Sequence, residues 1–185
     1  MNHISAGLAF ILLGGALYGI GQTGKTSGVR AAIQSADHRM PASVFHLNDA
    51  SGRDISLSKY RGKVVLLDFW ATTCGGCVTE IPWFVDLQAK YKDKNLDVLG
   101  VSMDVIYEDL SNAQEGWGRV KPFVQEHGVN YPIVMGDDHV LKSWKIDAFP
   151  TTFLIDKAGR VAALYVGIVD KANVESNIKT LLKER

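Results

Sequence analysis

The only two cysteines of the 185-residue chain stand two residues apart, in Phe69-Trp70-Ala71-Thr72-Thr73-Cys74-Gly75-Gly76-Cys77. An apolar run, Val64-Val65-Leu66-Leu67, leads into them, and a stretch with helical spacing leads out. Two thiols at this spacing can close a small disulfide across the first turn of a helix. The helix N-terminus presents free backbone N–H groups and a partial positive charge, which favour a thiolate on the first cysteine. A thiolate with a second thiol beside it is the minimal machinery for disulfide exchange. Two cysteines cannot form a disulfide framework, and zinc would need ligands from elsewhere, so the pair reads as redox-active.

The rest of the composition is that of an ordinary globular chain, 46% hydrophobic and long enough to bury a core. Lys+Arg and Asp+Glu both number 20, so the formal charge is zero and no nucleic-acid surface is expected. Residues 4–21 differ in kind: eighteen residues without a charged side chain, near the lower limit for a membrane-spanning helix. They also read as a signal peptide, with Gly19 and Gly21 placed for cleavage after Gly21. The cationic leader is weak, and Lys25 and Arg30 lie on the far side, against the usual orientation. Export is expected, by cleaved signal or uncleaved anchor, which places the domain in the cell envelope on the periplasmic or extracytoplasmic side.

Residues 22–39 are polar and rich in small side chains and read as a linker; the folded domain is expected over 40–185. Val44-Phe45-His46-Leu47 and Asp54-Ile55-Ser56-Leu57 flank a hairpin-like turn. Residues 64–69 read as a central strand, apolar on both faces. Helical spacing follows over 77–91, with Pro82 expected to kink it. Further strands are expected at 96–102, 133–135, 151–156 and 161–166, and helices at 117–127, 139–144 and 171–183. Strands alternating with helices, then a hairpin and a last helix, indicate an α/β fold: a mixed sheet covered on both faces.

Leu67-Asp68-Phe69-Trp70-Ala71, the Cys74-Gly75-Gly76-Cys77 pair and a helix containing Pro82 resemble the thioredoxin family. Phe149-Pro150-Thr151-Thr152-Phe153 resembles the family's cis-proline segment. The apolar N-terminus, Glu80-Ile81-Pro82 and the long stretch between Cys77 and Pro150 are similar to the membrane-tethered TlpA/ResA-like branch, which carries a central helix–strand insertion.

The resemblance implies that Cys74 is the exposed nucleophile and Cys77 the resolving thiol. Asp68 matches the thioredoxin proton acceptor and Glu80 the acidic residue of the TlpA/ResA-like branch; either could serve. Pro150 should be cis, with Phe149, Pro150 and Thr151 beside the sulfurs where substrate backbone can pair. Thr73 stands where an aromatic is common, and Trp70 either packs under the site or is plain core. The implied partners are a disulfide-containing protein and an upstream membrane thiol donor. No cofactor or metal is implied, and a monomer is expected.

Gly75-Gly76 lacks the proline or histidine often found between the cysteines, which points to a reductant of envelope disulfides such as cytochrome c precursors. A copper-handling role, joining Met103 to the cysteines, and a peroxiredoxin-like antioxidant role are the alternatives. Leu67 and Ala71 occupy the places of the usual peroxiredoxin motif. Gly19-Ile20-Gly21-Gln22-Thr23-Gly24-Lys25-Thr26 matches a phosphate-binding loop but follows a membrane-like run rather than a strand, so nucleotide binding is not expected.

Overall fold

Seven consecutive buried residues make β3 (Val64–Trp70) the centre of the sheet. A strand buried on both faces must have partners on both edges. It runs parallel to β4 (Leu96–Ser102) and antiparallel to β6 (Thr151–Ile155). Beyond these lie β5 (Ile133–Met135), parallel to β4, and β7 (Val161–Val166), antiparallel to β6. The order is β5-β4-β3-β6-β7. A separate hairpin, β1 (His46–Asn48) and β2 (Asp54–Ser56), joins the β5 edge through a bridge from Asp49 to Val134. The computed structural model describes residues 28–184. The expected signal or anchor at 1–21 and the phosphate-loop match at 19–26 lie outside them.

Alternate side chains of β3 enter opposite cores. Val64, Leu66 and Trp70 pack with residues of α1 (Gly75–Tyr91), α3 (Ala113–Glu126) and α5 (Lys171–Lys183). Val65, Leu67 and Phe69 pack with the hairpin and α4 (Asp138–Ser143). Each fully buried side chain of this size contributes about 1.5–3 kcal/mol. The sheet covered on both faces, with its N-terminal hairpin and with α3 and β5 inserted beside β4, is the α/β fold expected from the sequence.

Local chemistry sets the helix ends. Asn112 caps α3 by accepting the N–H of Glu115, and Glu115 reaches back to the N–H of Ser111, a reciprocal cap. Asp137 and Asp170 cap α4 and α5 by accepting the N–H of Val140 and of Asn173. α1 begins at Gly75 rather than 77, because Cys74 itself takes the cap position, and it continues through Pro82 to Tyr91. α3 begins four residues before the expected 117, at the cap the sequence reading passed over. The short α2 (Asp104–Tyr107) was not anticipated.

Residues 28–42, most of them within the span read as a linker, run down the outer edge of β7. Val29 donates to the Ile168 carbonyl and accepts from Asp170 N–H; Gln34 donates to Ala162; Met40 accepts from Val161; Ala42 donates to Gly159. These bonds occupy backbone groups that a free edge strand would leave open. Arg39, with its side chain 2% exposed, fastens the strap through Asp156 at 3.1 Å and Glu184 at 2.6 Å. Among the described residues no helix is long and apolar enough to cross a membrane.

Candidate active site

The apolar β3 delivers the chain to the N-terminus of α1, where Cys74 and Cys77 are joined in a disulfide. Cys74 is in extended backbone conformation as the N-cap, and its Sγ accepts the Cys77 N–H at 3.3 Å. Thus a free amide of the helix's first turn points at the first sulfur, as thiolate stabilisation requires. Cys74 is the outer of the pair, 4% exposed against 0% for Cys77. It is less exposed than the sequence reading expected; access to it runs over Thr73 and Gly75, which are exposed.

The Phe149–Pro150 bond is cis, as expected. Pro150 and Ile168 close over the second residue between the cysteines: a Cβ on Gly76 would lie 3.2 Å from Pro150 Cδ and 3.2 Å from Ile168 Cγ1. Both contacts are tighter than ordinary packing, so glycine lets the β7–α5 loop and the cis-proline loop approach the disulfide. Phe149 is partly buried and meets exposed Tyr107 edge-to-face, with centroids 5.5 Å apart. Thr151 is buried and donates its hydroxyl to Ala148 O at 2.7 Å. Its backbone lies in the ladder between Phe69 and Val166, not free beside the sulfurs. Trp70 is fully buried, with Phe123 at 5.2 Å. It supports the site from beneath and offers no surface to a substrate.

Behind Cys77 lie two buried carboxylates. Asp68 reaches this core because the alternation of β3 puts it on the same face as Leu66 and Trp70; Glu80 follows Cys77 by one turn of α1. Both are 0% exposed. Asp68 Oδ1 accepts the Thr152 hydroxyl at 3.3 Å, and Glu80 Oε1 accepts the Val169 N–H at 2.5 Å. The second oxygen of each has no hydrogen-bond partner among the described residues. Burial, reinforced by the neighbouring Glu80 charge, pushes Asp68 well above the usual carboxylate range. Burial lifts Glu80 to about 7, against the pull of the Val169 amide. Such groups accept a proton near neutral pH, the property a resolving thiol needs from its neighbour.

Sequence reasoning missed the brace on the other side of Cys74. Asp104, fully buried, accepts the Thr72 N–H at 3.2 Å and 3.3 Å on its two oxygens, the Thr72 hydroxyl, and the Ser102 hydroxyl at 2.8 Å. Glu108 accepts the Thr73 hydroxyl and pairs with Arg119 at 3.2 Å. An acid two residues past the end of a largely apolar strand, as in Ser102-Met103-Asp104, was the signal available. Met103 is buried in the core on the opposite face of the sheet from the cysteines, so the trio that the copper-handling alternative calls for is not assembled. Among the described residues no three His, Cys, Asp or Glu side chains form a metal cluster.

Residues 38–164 match the AhpC/TSA family. The chain is 35% identical over 138 residues to a thiol-disulfide oxidoreductase ResA of Geobacillus kaustophilus, covering 74% of each. It is 31% identical over 147 residues to its namesake from Bacillus subtilis, covering 79% of this chain and 76% of that one. Among solved structures it resembles a thiol:disulfide interchange protein from Chlorobium tepidum, with a TM-score of 0.67 and 26% identity over 78% of this chain and 97% of that one. A secreted thiol-disulfide isomerase from Corynebacterium glutamicum shares the fold, with a TM-score of 0.71 at 21% identity over 86% of this chain and 95% of the other. The chain belongs to the AhpC/TSA family of thioredoxin-like proteins and is a thiol-disulfide oxidoreductase.

Proposed function

We propose that the protein is a reductant of extracytoplasmic protein disulfides, cytochrome c precursors among them. The observation that carries this is a CxxC disulfide at a helix N-terminus backed by two buried carboxylates whose affinity for a proton burial raises, so that either, when ionised, is a ready proton acceptor. In the reduced protein the Cys74 thiolate attacks one sulfur of a substrate disulfide, and the other substrate sulfur leaves as a thiolate. Cys77 gives its proton to Asp68 or Glu80. The Cys77 thiolate then attacks Cys74 Sγ, which releases the second substrate thiol and leaves the Cys74–Cys77 disulfide. An upstream dithiol restores the reduced form by the reverse exchange. Phe149, Pro150 and Thr73 form the rim on which the substrate segment rests.

The path of the strap supports a donor at the membrane. The chain enters the described fold at Val29, bonded to Ile168, whose side chain lies against Gly76 between the cysteines. With residues 4–21 as an uncleaved anchor, residues 22–27 span at most about 20 Å. The disulfide pole is then the end of the domain held near the bilayer.

Trapping tests the exchange. Cys77→Ala leaves a mixed disulfide on Cys74 unresolved, and envelope proteins should be recovered covalently bound to it. Recovery of none would reject the substrate class. A peroxidase reading has the family match alone in its favour; hydrogen peroxide consumption no faster than by a small dithiol removes it.

A further inference from the structure

Two of the three residues between β3 and Cys74 are held by carboxylates, which stand at the two ends of the short α2: Asp104 is its first residue and Glu108 its C-cap. Asp104 takes the N–H and hydroxyl of Thr72; Glu108 takes the hydroxyl of Thr73. Every hydrogen bond to the Asp104 carboxylate is donated by Thr72 or Ser102, and no cation pairs with it among the described residues. Glu108 is 21% exposed and shares its charge with Arg119 of α3. On the far side of the sulfurs, toward Cys77, stand Asp68 of β3 and Glu80 of α1. The favourable contribution comes from the N-terminus of α1, whose Cys77 N–H points at Cys74 Sγ.

We propose that Asp104 and Glu108 are positioning residues that clamp the Thr72-Thr73 loop while placing negative charge beside Cys74, so that its thiolate is disfavoured and the protein is driven toward its disulfide form. The helix amide and the α2 carboxylates pull in opposite directions on one sulfur. A thiolate that is costly in the reduced protein makes electron donation to a substrate disulfide more favourable, since donation consumes that thiolate and leaves the neutral Cys74–Cys77 disulfide. This rests on the reductant reading above and gives it a source other than the residues between the cysteines. It also accounts for carboxylates, rather than neutral amides, on loop groups that only need an acceptor.

The test separates charge from shape. In full-length protein carrying Cys77→Ser, the ultraviolet absorbance of the Cys74 thiolate is followed against pH, with and without Glu108→Gln or Asp104→Asn. Each amide keeps an acceptor oxygen for the threonine and removes the charge. Each is expected to move the Cys74 acid dissociation constant up by about fivefold, the effect of a unit charge under roughly 10 Å away at an effective dielectric constant near 40. Glu108→Asp, which keeps the charge, should move it less than half as far. In the two-cysteine protein, the equilibrium with a reference dithiol should shift toward the reduced form by the same factor above the thiol's titration, and hardly at all well below it. A purely structural clamp would give no such pH dependence. The proposal is overturned if both amide variants leave the titration within twofold of the parent, or move it the other way. Asp104→Asn failing to fold leaves Glu108→Gln to decide. Loss of substrate exchange in the parent would reject the reductant reading but leave the thiol titration readable.

Discussion

The buried carboxylate pair makes the protein less stable as pH rises, opposite to the effect of surface ion pairs. Burial lifts Glu80 to about 7, from 4.5. Between these values the folded protein keeps a proton that the unfolded chain has released. The stability from this group is therefore full below about 4.5 and is lost as pH rises through about 7. That difference, at about 1.4 kcal/mol per pH unit, amounts to about 3 kcal/mol. Asp68, raised by burial and by Glu80, adds loss in the same direction. Carboxylates held low, such as Glu175 at about 2 beside Lys90, act oppositely and weaken the fold only in acid. Urea unfolding of the oxidised protein should thus show greatest stability near pH 5 and a fall toward pH 8. Glu80→Gln keeps the acceptor for Val169 N–H and cannot ionise. It should leave stability near pH 5 little changed and remove most of the Glu80 share of the loss by pH 8, with slower resolution of mixed disulfides. A flat profile in the parent between pH 5 and 8, or an equal fall in Glu80→Gln, refutes the argument.

Two further substitutions probe the packing. Gly76→Val should destabilise by about 1–3 kcal/mol in urea and slow exchange, because its side chain meets Pro150 and Ile168. Adding Ile168→Ala should recover part of the loss; strict additivity would place the clash elsewhere. Arg39→Met strips a buried partner from Asp156, 4% exposed, leaving it Arg160 alone, and should cost about 3 kcal/mol. A cost below about 1 kcal/mol would mean the strap is held by its backbone bonds alone.

Regular elements were legible because their periodicity is strong. A β3 that is apolar but for Asp68 admits only a central position, and the helical spacing after Cys77 admits only a helix against it, although the buried face of α1 is Cys77, Ile81, Phe84 and Tyr91 rather than the stripe of Val78, Ile81 and Val85. The cysteines were legible through their spacing and their place after that strand, and both carboxylates and the cis proline through the resemblance to the thioredoxin family. What escaped notice lacks periodicity. α2 is four residues long, and the strap bonds mainly through backbone groups, which any side chain can supply. Its polar composition reads as linker because the one charged side chain that matters, Arg39, finds its partners 117 and 145 residues away. Trp70 was ambiguous for a related reason: an aromatic at the end of a strand becomes core only when α3 brings Phe123 over it.

The glycine pair also changes meaning once these distant segments are in place. Read alone, Gly75-Gly76 is an absence of the groups that tune a thiolate. In the folded protein Gly75 has open space around it, whereas Gly76 is confined by Pro150 and Ile168. The two glycines therefore have separate consequences. Gly76 allows the loop holding Val169 to come down on α1, and the Val169 N–H is the group that holds Glu80 Oε1 beneath the sulfurs. Val29 of the strap fastens the same loop through Ile168 and Asp170. The small residue between the cysteines thus acts on Glu80 rather than on Cys74. Charge at the nucleophile is left to the residues before it, Thr72 and Thr73, and to the carboxylates they bind.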